Sequence, residues 1–272
     1  GTTTASSSSL ALGYNHACSI LDNGSVKCWG VYTHGRLGNF ATQNIGDGSG
    51  EMGDALVVTN LGTGRTATSI SAGLHEASPH TCAVLDDGTV KCWGLNNNGQ
   101  LGIGNTTTMG DTAERMGDNL SAVDLGTGRT AVDVSVGNFF SCALLDNGDV
   151  KCWGRNSNGQ LGIGNTTTMG DAADEMGDNL SAVDLGTGRT AVAIATGYDH
   201  VCAILDNGQV KCWGANGHGR LGIGSTTTIG DAASEMGDNL AYTSLGTGLT
   251  PVQIDAGNGH TCALFDNGSV KC

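Results

Sequence analysis

Long apolar runs are missing from this chain: no stretch approaches the ~20 residues that a membrane-spanning helix needs, so no span is expected. Cations are scarce too, 12 against 26 carboxylates, for a formal charge of −14. The five lysines (Lys27, Lys91, Lys151, Lys211 and Lys271) all stand in Val-Lys-Cys and are spread evenly along the chain. Without a basic stripe to hold phosphates, nucleic acid is excluded as a partner. Aromatic residues make up 4%, proline occurs twice, and helical periodicity is absent, which leaves β structure with thin cores drawn from a 38% hydrophobic share. An initiator Met and a signal-like segment are also lacking, so the chain reads as a processed or trimmed product. The opening Gly1 to Ser9 reads as a flexible lead-in. Alternatively Ser9 to Gly13, which aligns with Val192 to Gly197, is an edge strand.

Glycine is abundant, at 46 residues, and all 10 cysteines fall in C-x9-C units: Cys18 with Cys28, Cys82 with Cys92, Cys142 with Cys152, Cys202 with Cys212, and Cys262 with Cys272. The later cysteine recurs at spacings of 64, 60, 60 and 60, the mark of an array built from one module. Within each unit two short β runs flank Asn-Gly (Asp-Gly in the second), which reads as a hairpin. A two-residue turn at Asn147-Gly148 pairs residues whose numbers sum to 295, whereas Cys142 and Cys152 sum to 294. One residue of slip puts the sulfurs on opposite faces. A three-residue loop, Asp146 to Gly148 with a left-handed Gly, brings Cys142 opposite Cys152 in a non-hydrogen-bonded pair, Cα atoms roughly 4.5 Å apart. Five cross-strand disulfides follow, each contributing roughly 2–3 kcal/mol, and with them an oxidising compartment. The rival reading is a metal: zinc takes four ligands, and His16, His80, His200 and His260 precede four of the units. The third unit has Phe140 there, so a repeated Cys/Cys/His site fails.

Each repeat of about 60 residues also carries an inner strand ending in Gly, a glycine-rich stretch around a regular Leu, a long loop and an outer strand such as Ala241 to Leu245. Four short strands with Gly at every corner make a propeller blade. The extra residues behind the 64-residue spacing fall at Leu74 to Thr81, an off-pattern loop whose His75, Glu76 and His80 are a candidate binding or metal feature; loop-length drift is the plainer explanation. A second pattern lies in the long loops: Asp47, Glu51 and Asp54; Asp111, Glu114 and Asp118, with Arg115 in place of the middle carboxylate; Asp171, Glu175 and Asp178; Asp231, Glu235 and Asp238. Three carboxylates in eight residues suit either turn chemistry or the oxygen-rich shell of Ca²⁺. Asn-x-Ser/Thr at Asn23, Asn105, Asn119, Asn165, Asn179 and Asn267 offers glycan acceptors in a host with that machinery. The Thr triplets Thr106 to Thr108, Thr166 to Thr168 and Thr226 to Thr228 are candidate O-glycan sites.

The spaced letters Gly-x-x-His-x-Cys-Ala-x-Leu-Asp-x-Gly-x-Val-Lys-Cys-Trp-Gly-x-Asn-x-x-Gly-Gln-Leu-Gly resemble the regulator-of-chromosome-condensation repeat family, in the look of its secreted bacterial branch with paired cysteines. The resemblance covers nearly the whole chain. It implies a propeller, commonly of seven blades in the family. Members serve as exchange factors for a small GTPase, as a secreted β-lactamase inhibitor, as an ultraviolet-B photoreceptor and as interaction modules. This chain departs from them: it has five hairpins, the last stopping at Cys272, and one Trp per repeat (Trp29, Trp93, Trp153, Trp213) instead of clustered tryptophans.

The expectation is therefore an all-β, propeller-like array of about five four-stranded blades, a single repeat domain over 1–272 with repeats near 1–60, 61–125, 126–185, 186–245 and a partial 246–272. The function read from it is that of a secreted or surface-exposed, non-enzymatic structural or interaction propeller, with no catalytic residues. It would bind a protein partner or copies of itself, as in a fibre. The alternatives are a soluble binder or inhibitor using one face, and a Ca-stabilised adhesin-like module. Tyr14, Tyr32, Phe139, Phe140 and Tyr198, the aromatic candidates for a binding cluster, are scattered in sequence.

Overall fold

The computed structural model describes residues 9–272. Of the lead-in expected at Gly1 to Ser9, residues 1–8 lie outside them; Leu10–Leu12 forms a strand, as the edge-strand reading has it.

Sixteen strands are formed among the described residues. The first sheet contains β1 (Leu10–Leu12), β2 (His16–Ile20), β3 (Val26–Gly30) and β4 (Val58–Thr59) in that order. The next comprises β5 (Ala67–Ala72), β6 (His80–Leu85) and β7 (Val90–Gly94). It is followed by β8 (Ala131–Val136), β9 (Phe140–Leu145) and β10 (Val150–Gly154), then by β11 (Ala191–Thr196), β12 (His200–Leu205) and β13 (Val210–Gly214). The last has β14 (Pro251–Ala256), β15 (Thr261–Phe265) and β16 (Val270–Lys271). All pairings are antiparallel.

The hairpins take the three-residue loop. Leu144 pairs with Val150 and Cys142 with Cys152. Gly148, at φ 82°, donates its N–H to the Leu145 carbonyl, a left-handed backbone that only Gly adopts without strain. Disulfides join Cys18 to Cys28, Cys82 to Cys92, Cys142 to Cys152, Cys202 to Cys212 and Cys262 to Cys272. Their Cα atoms lie 4.0–4.1 Å apart, closer than the roughly 4.5 Å typical of a non-hydrogen-bonded pair. The bridge draws the two strands together at that point. Cys92 and Cys212, like the other cysteines of the first four units, are buried, whereas Cys262 is half-buried and Cys272 exposed at the end of the array. With every cysteine bridged, no thiolate is left for the rival zinc reading.

The outer strand is where the structure is thinner than expected. Only the first sheet has a fourth strand; in the fourth repeat the segment from Ala241 to Leu245 makes one bridge, Tyr242 to Lys211. Elsewhere a single bond holds it, Val123 N–H to Val90 and Val183 N–H to Val150, each at 2.8 Å. Val123 and Leu125, and Val183 and Leu185 after them, lie in the cores between blades, so side-chain packing holds this segment where the ladder does not.

The inner strands β1, β5, β8, β11 and β14 face one another around a cavity of about 570 Å³. Neighbouring sheets pack face to face, and each core lies between two of them. Phe140, Cys142 and Leu144 of β9 join Val201, Ala203 and Trp213 of the next sheet, while Ala143 and Leu145 join Val84, Val90 and the bridged Cys82 and Cys92 of the previous one. The strand's two-residue period thus feeds two cores, so β6, β9 and β12 are buried along their whole length. The last core, around Cys202 and Cys212, packs against Ile254 and Ala256 of β14.

Candidate functional site

The junctions between blades repeat one set of contacts. The carbonyl before Leu in Gly-x-Leu-Gly accepts the indole N–H of the following repeat: Trp93 to Arg36, Trp153 to Gln100 and Trp213 to Gln160, at 3.0, 3.0 and 3.1 Å. A hydroxyl joins it at the same carbonyl type, Thr81 to Arg36, Ser141 to Gln100 and Thr261 to Arg220. Those hydroxyls also lie 2.9–3.0 Å from Nε2 of His16, His80 and His200. The repeated histidines are therefore junction residues, and burial pushes their pKa down, to about 3 for His16 and about 4 for His80 and His200. At the one junction without His, Phe140 meets Val201 in place of a hydroxyl. Replacing both members of a buried polar pair by apolar groups leaves nothing unpaired.

The loop carboxylates divide between two hydrogen-bonding roles. Glu175 Oε2 accepts the N–H groups of Gly170, Asp171 and Ala172 at 2.8, 3.1 and 3.0 Å; Glu235 does the same for Gly230 and Ala232, and Glu51 for Gly46 and Gly48. Those bonds hold Glu51 below the usual carboxylate range. In the second repeat Arg115 instead reaches Asp111 at 3.0 Å. Asp118, Asp178 and Asp238 accept the hydroxyl and N–H of Thr63, Thr127 and Thr187, which lowers the pKa of each. Asp231 is raised by burial and by Glu235 beside it, while Asp47, Asp54 and Glu114 are exposed. Among the described residues no three His, Cys, Asp or Glu side chains gather as a metal group. The residues of the inserted loop do not converge either: His80 is buried on Ser78 and Ser141, while His75 Nδ1 accepts the Ala77 N–H at 3.1 Å.

What the insertion does is cross the mouth of the central cavity. The turns that leave the inner strands are strung together there: Tyr14 N–H to Gly73, Asn138 N–H to Tyr198 and Tyr198 N–H to Gly257. The segments after the hairpins end on the same face, since Arg155 N–H binds the Phe139 carbonyl and Ala215 N–H that of Asp199. His75 stands edge-on to Tyr198, ring centres 4.8 Å apart, and 6.3 Å from Tyr14. Beside them the Arg155 guanidinium lies over the Phe139 ring at 5.5 Å and contacts both Asp199 oxygens at 2.9 Å. Asp199 is 7% exposed. Burial raises its pKa, and Arg155, Asn138, Arg220 and His75 pull against that rise. Phe139 holds this place at φ 62°, a left-handed conformation unusual for a bulky side chain.

The aromatic candidates that are scattered in sequence thus meet in part: Tyr14, Phe139 and Tyr198 gather at the mouth, Phe140 is buried between blades, and Tyr32 lines a separate pocket with Phe40. The signal was position in the repeat: Tyr14 and Tyr198 directly follow the Gly that ends an inner strand, and Phe139 stands one residue further on. Arg155 and Asp199 were not marked by residue type: the counterparts of Arg155 are Val31, Leu95 and Ala215, and those of Asp199 are Asn15, Pro79, Phe139 and Gly259.

Comparison with known proteins agrees with this architecture. The regulator of chromosome condensation (RCC1) repeat matches residues 8–36, 80–100, 131–160, 191–220 and 252–272. The human E3 ubiquitin-protein ligase HERC2 is 29% identical over 218 residues, which is 80% of this chain and 4% of HERC2. The ultraviolet-B receptor UVR8 of Arabidopsis thaliana is 27% identical over 223 residues, 80% of this chain and 43% of the receptor. The chain thus spans less than half the length of these relatives. Of solved structures, Prp20p of Saccharomyces cerevisiae superposes with a TM-score of 0.65 at 18% identity, over 93% of this chain and 54% of Prp20p. Human WBSCR16 does so at 0.65 and 19%, over 94% and 57%. With one matched segment on each bridged hairpin, the chain belongs to the RCC1 repeat family.

Proposed function

We propose that this chain is an extracellular, non-enzymatic interaction propeller that binds a macromolecular partner through the face carrying the cavity mouth. One observation carries the reading. The contacts that hold the array together recur from junction to junction, whereas the grouping of Tyr14, His75, Phe139, Arg155, Tyr198 and Asp199 occurs once. A feature the scaffold requires would repeat with the scaffold. Tyrosine, phenylalanine and arginine are also the side chains enriched at protein interfaces, and tyrosine and arginine supply much of the binding energy there. The extracellular setting is supported by the five disulfides, which persist in oxidising compartments. Among relatives of this fold, Prp20p is described by its binding to Gsp1p and histones, so a protein partner suits the family. The test is a pair of photo-crosslinkers, one at Tyr198 and one at Asn207 on the opposite face. Adducts from Tyr198 alone are expected; adducts only from Asn207, or none, would sink the reading.

Self-association is a second reading, favoured by a different observation. On the two flanking sheets Leu10, Leu12 and Val270 are exposed, at positions where interior sheets meet a neighbour. Further repeats, of this chain or of a copy, fit such faces. Discrete particles of 27.4 kDa at every concentration would remove it.

A further inference from the structure

We propose that the mouth contains a carboxylate-binding subsite for an acidic segment of a partner protein, with Arg155 and Arg220 as its donors and Asp199 as the internal group that now occupies it. The proposal rests on the reading of the mouth as the partner face and adds the class of partner. A guanidinium presents five N–H donors. Arg155 contacts both Asp199 oxygens through Nη2, and its Nε is buried without an acceptor among the described residues. Arg220 reaches only the Asn258 carbonyl, at 3.4 Å, and its Nε is likewise buried and unpaired. Both arginines bear on Asp199 electrostatically, so the carboxylate lies within the field of two cations. Both Nε atoms are buried, but each side chain is partly exposed, Arg155 at 27%, so the outer guanidinium N–H groups are open to a second carboxylate.

The shape of the subsite already suits a protein carboxylate, because one is in it. Asn158 Nδ2 and Gln160 Nε2 approach the same Asp199 at 3.3 and 3.5 Å. Phe139 and Tyr198 form aromatic walls next to it. The chain's charge of −14 does not forbid an acidic partner, since charges more than about 8 Å away are screened at physiological salt. Asp199 weakens the attraction by half-neutralising the pair. That gives the proposal a signature which a purely structural role for these residues lacks: removing the Asp199 charge should tighten binding of an acidic ligand.

The experiment is fluorescence anisotropy of a labelled Glu-Tyr copolymer against the oxidised full chain at physiological salt. Arg155→Gln and Arg220→Gln should each weaken binding by about tenfold, the scale of one charge-assisted hydrogen bond. Asp199→Asn should tighten it several-fold, and Arg189→Gln, whose residue pairs with Asp206 on the opposite face, should leave it unchanged. Arg155→Lys, which keeps the charge, serves as a second variant should Arg155→Gln unfold. Absence of copolymer binding, an equal loss in Arg189→Gln, or weakening in a folded Asp199→Asn would overturn the proposal. If the copolymer fails while the Tyr198 crosslinker still yields adducts, the acidic class is wrong and the mouth remains the partner face. If neither reports, both readings fall.

Discussion

Trp29, Trp93, Trp153 and Trp213 hold the same place in their repeats, yet their surroundings differ. Trp153 is fully buried and donates to Gln100, while Trp29 is partly exposed and its indole N–H has no acceptor among the described residues. Trp153→Phe should therefore destabilise by about 2–3 kcal/mol, from the lost buried bond and packing, and Trp29→Phe by under about 1 kcal/mol; equal denaturation midpoints for the two would contradict the junction contacts. His16, His80 and His200 set the pH response. Their folded pKa values, about 3 to about 4, lie below the ordinary 6.5, so the unfolded chain takes up protons first as the pH falls. Their contribution is complete above pH 6.5 and is lost on the way down to about 4. Asp133 and Asp199, raised by burial, act in the opposite sense. The melting temperature should fall between pH 6.5 and about 4, and less steeply in His80→Gln than in the parent; the same slope in both would remove His80 from the explanation.

At the level of elements, the hairpin was readable from spelling alone. Ten residues from sulfur to sulfur and an Asn-Gly fix the loop length, the loop length fixes the register, and the register fixes which side chains meet. The outer strand was not readable to the same degree: Val123 and Leu125 are buried on alternate residues as a strand's should be, but the segment pairs with its hairpin through a single bond or bridge. The insertion at 74–77 was legible as an irregularity and its role was not. His75 meets Tyr198 two blades away, a contact only the curvature of the array creates. Deleting residues 74–77 restores the common spacing. The variant should melt within a few degrees of the parent, because the loop's side chains contribute ring contacts and no junction bond, and it should lose binding at the mouth face. A collapse of the fold would show that the loop is structural.

For the whole molecule, sparse aromatics and thin cores are offset by covalent closure of every hairpin and, in the three interior repeats, by one lysine that ties two loops together. Lys151 Nζ, buried, reaches the carbonyls of Leu125 and Gly177 at 3.1 and 2.8 Å, and Lys91 and Lys211 do the same. The even spacing of these lysines, which argued against a phosphate stripe, thus has a positive cause. Glu51, Glu175 and Glu235 are engaged with their own backbone and Asp118, Asp178 and Asp238 with neighbouring threonines, so a chelator should leave the melting temperature unchanged; a fall would restore calcium to the long loops. Everything from register to mouth depends on each cysteine bonding within its own unit. Peptide mapping of the non-reduced, alkylated protein decides this. Five linked peptides are expected, joining Cys18 to Cys28, Cys82 to Cys92, Cys142 to Cys152, Cys202 to Cys212 and Cys262 to Cys272, with no labelled thiol. A cross-link between repeats, such as Cys92 to Cys142, or an alkylated cysteine would refute the blade as described.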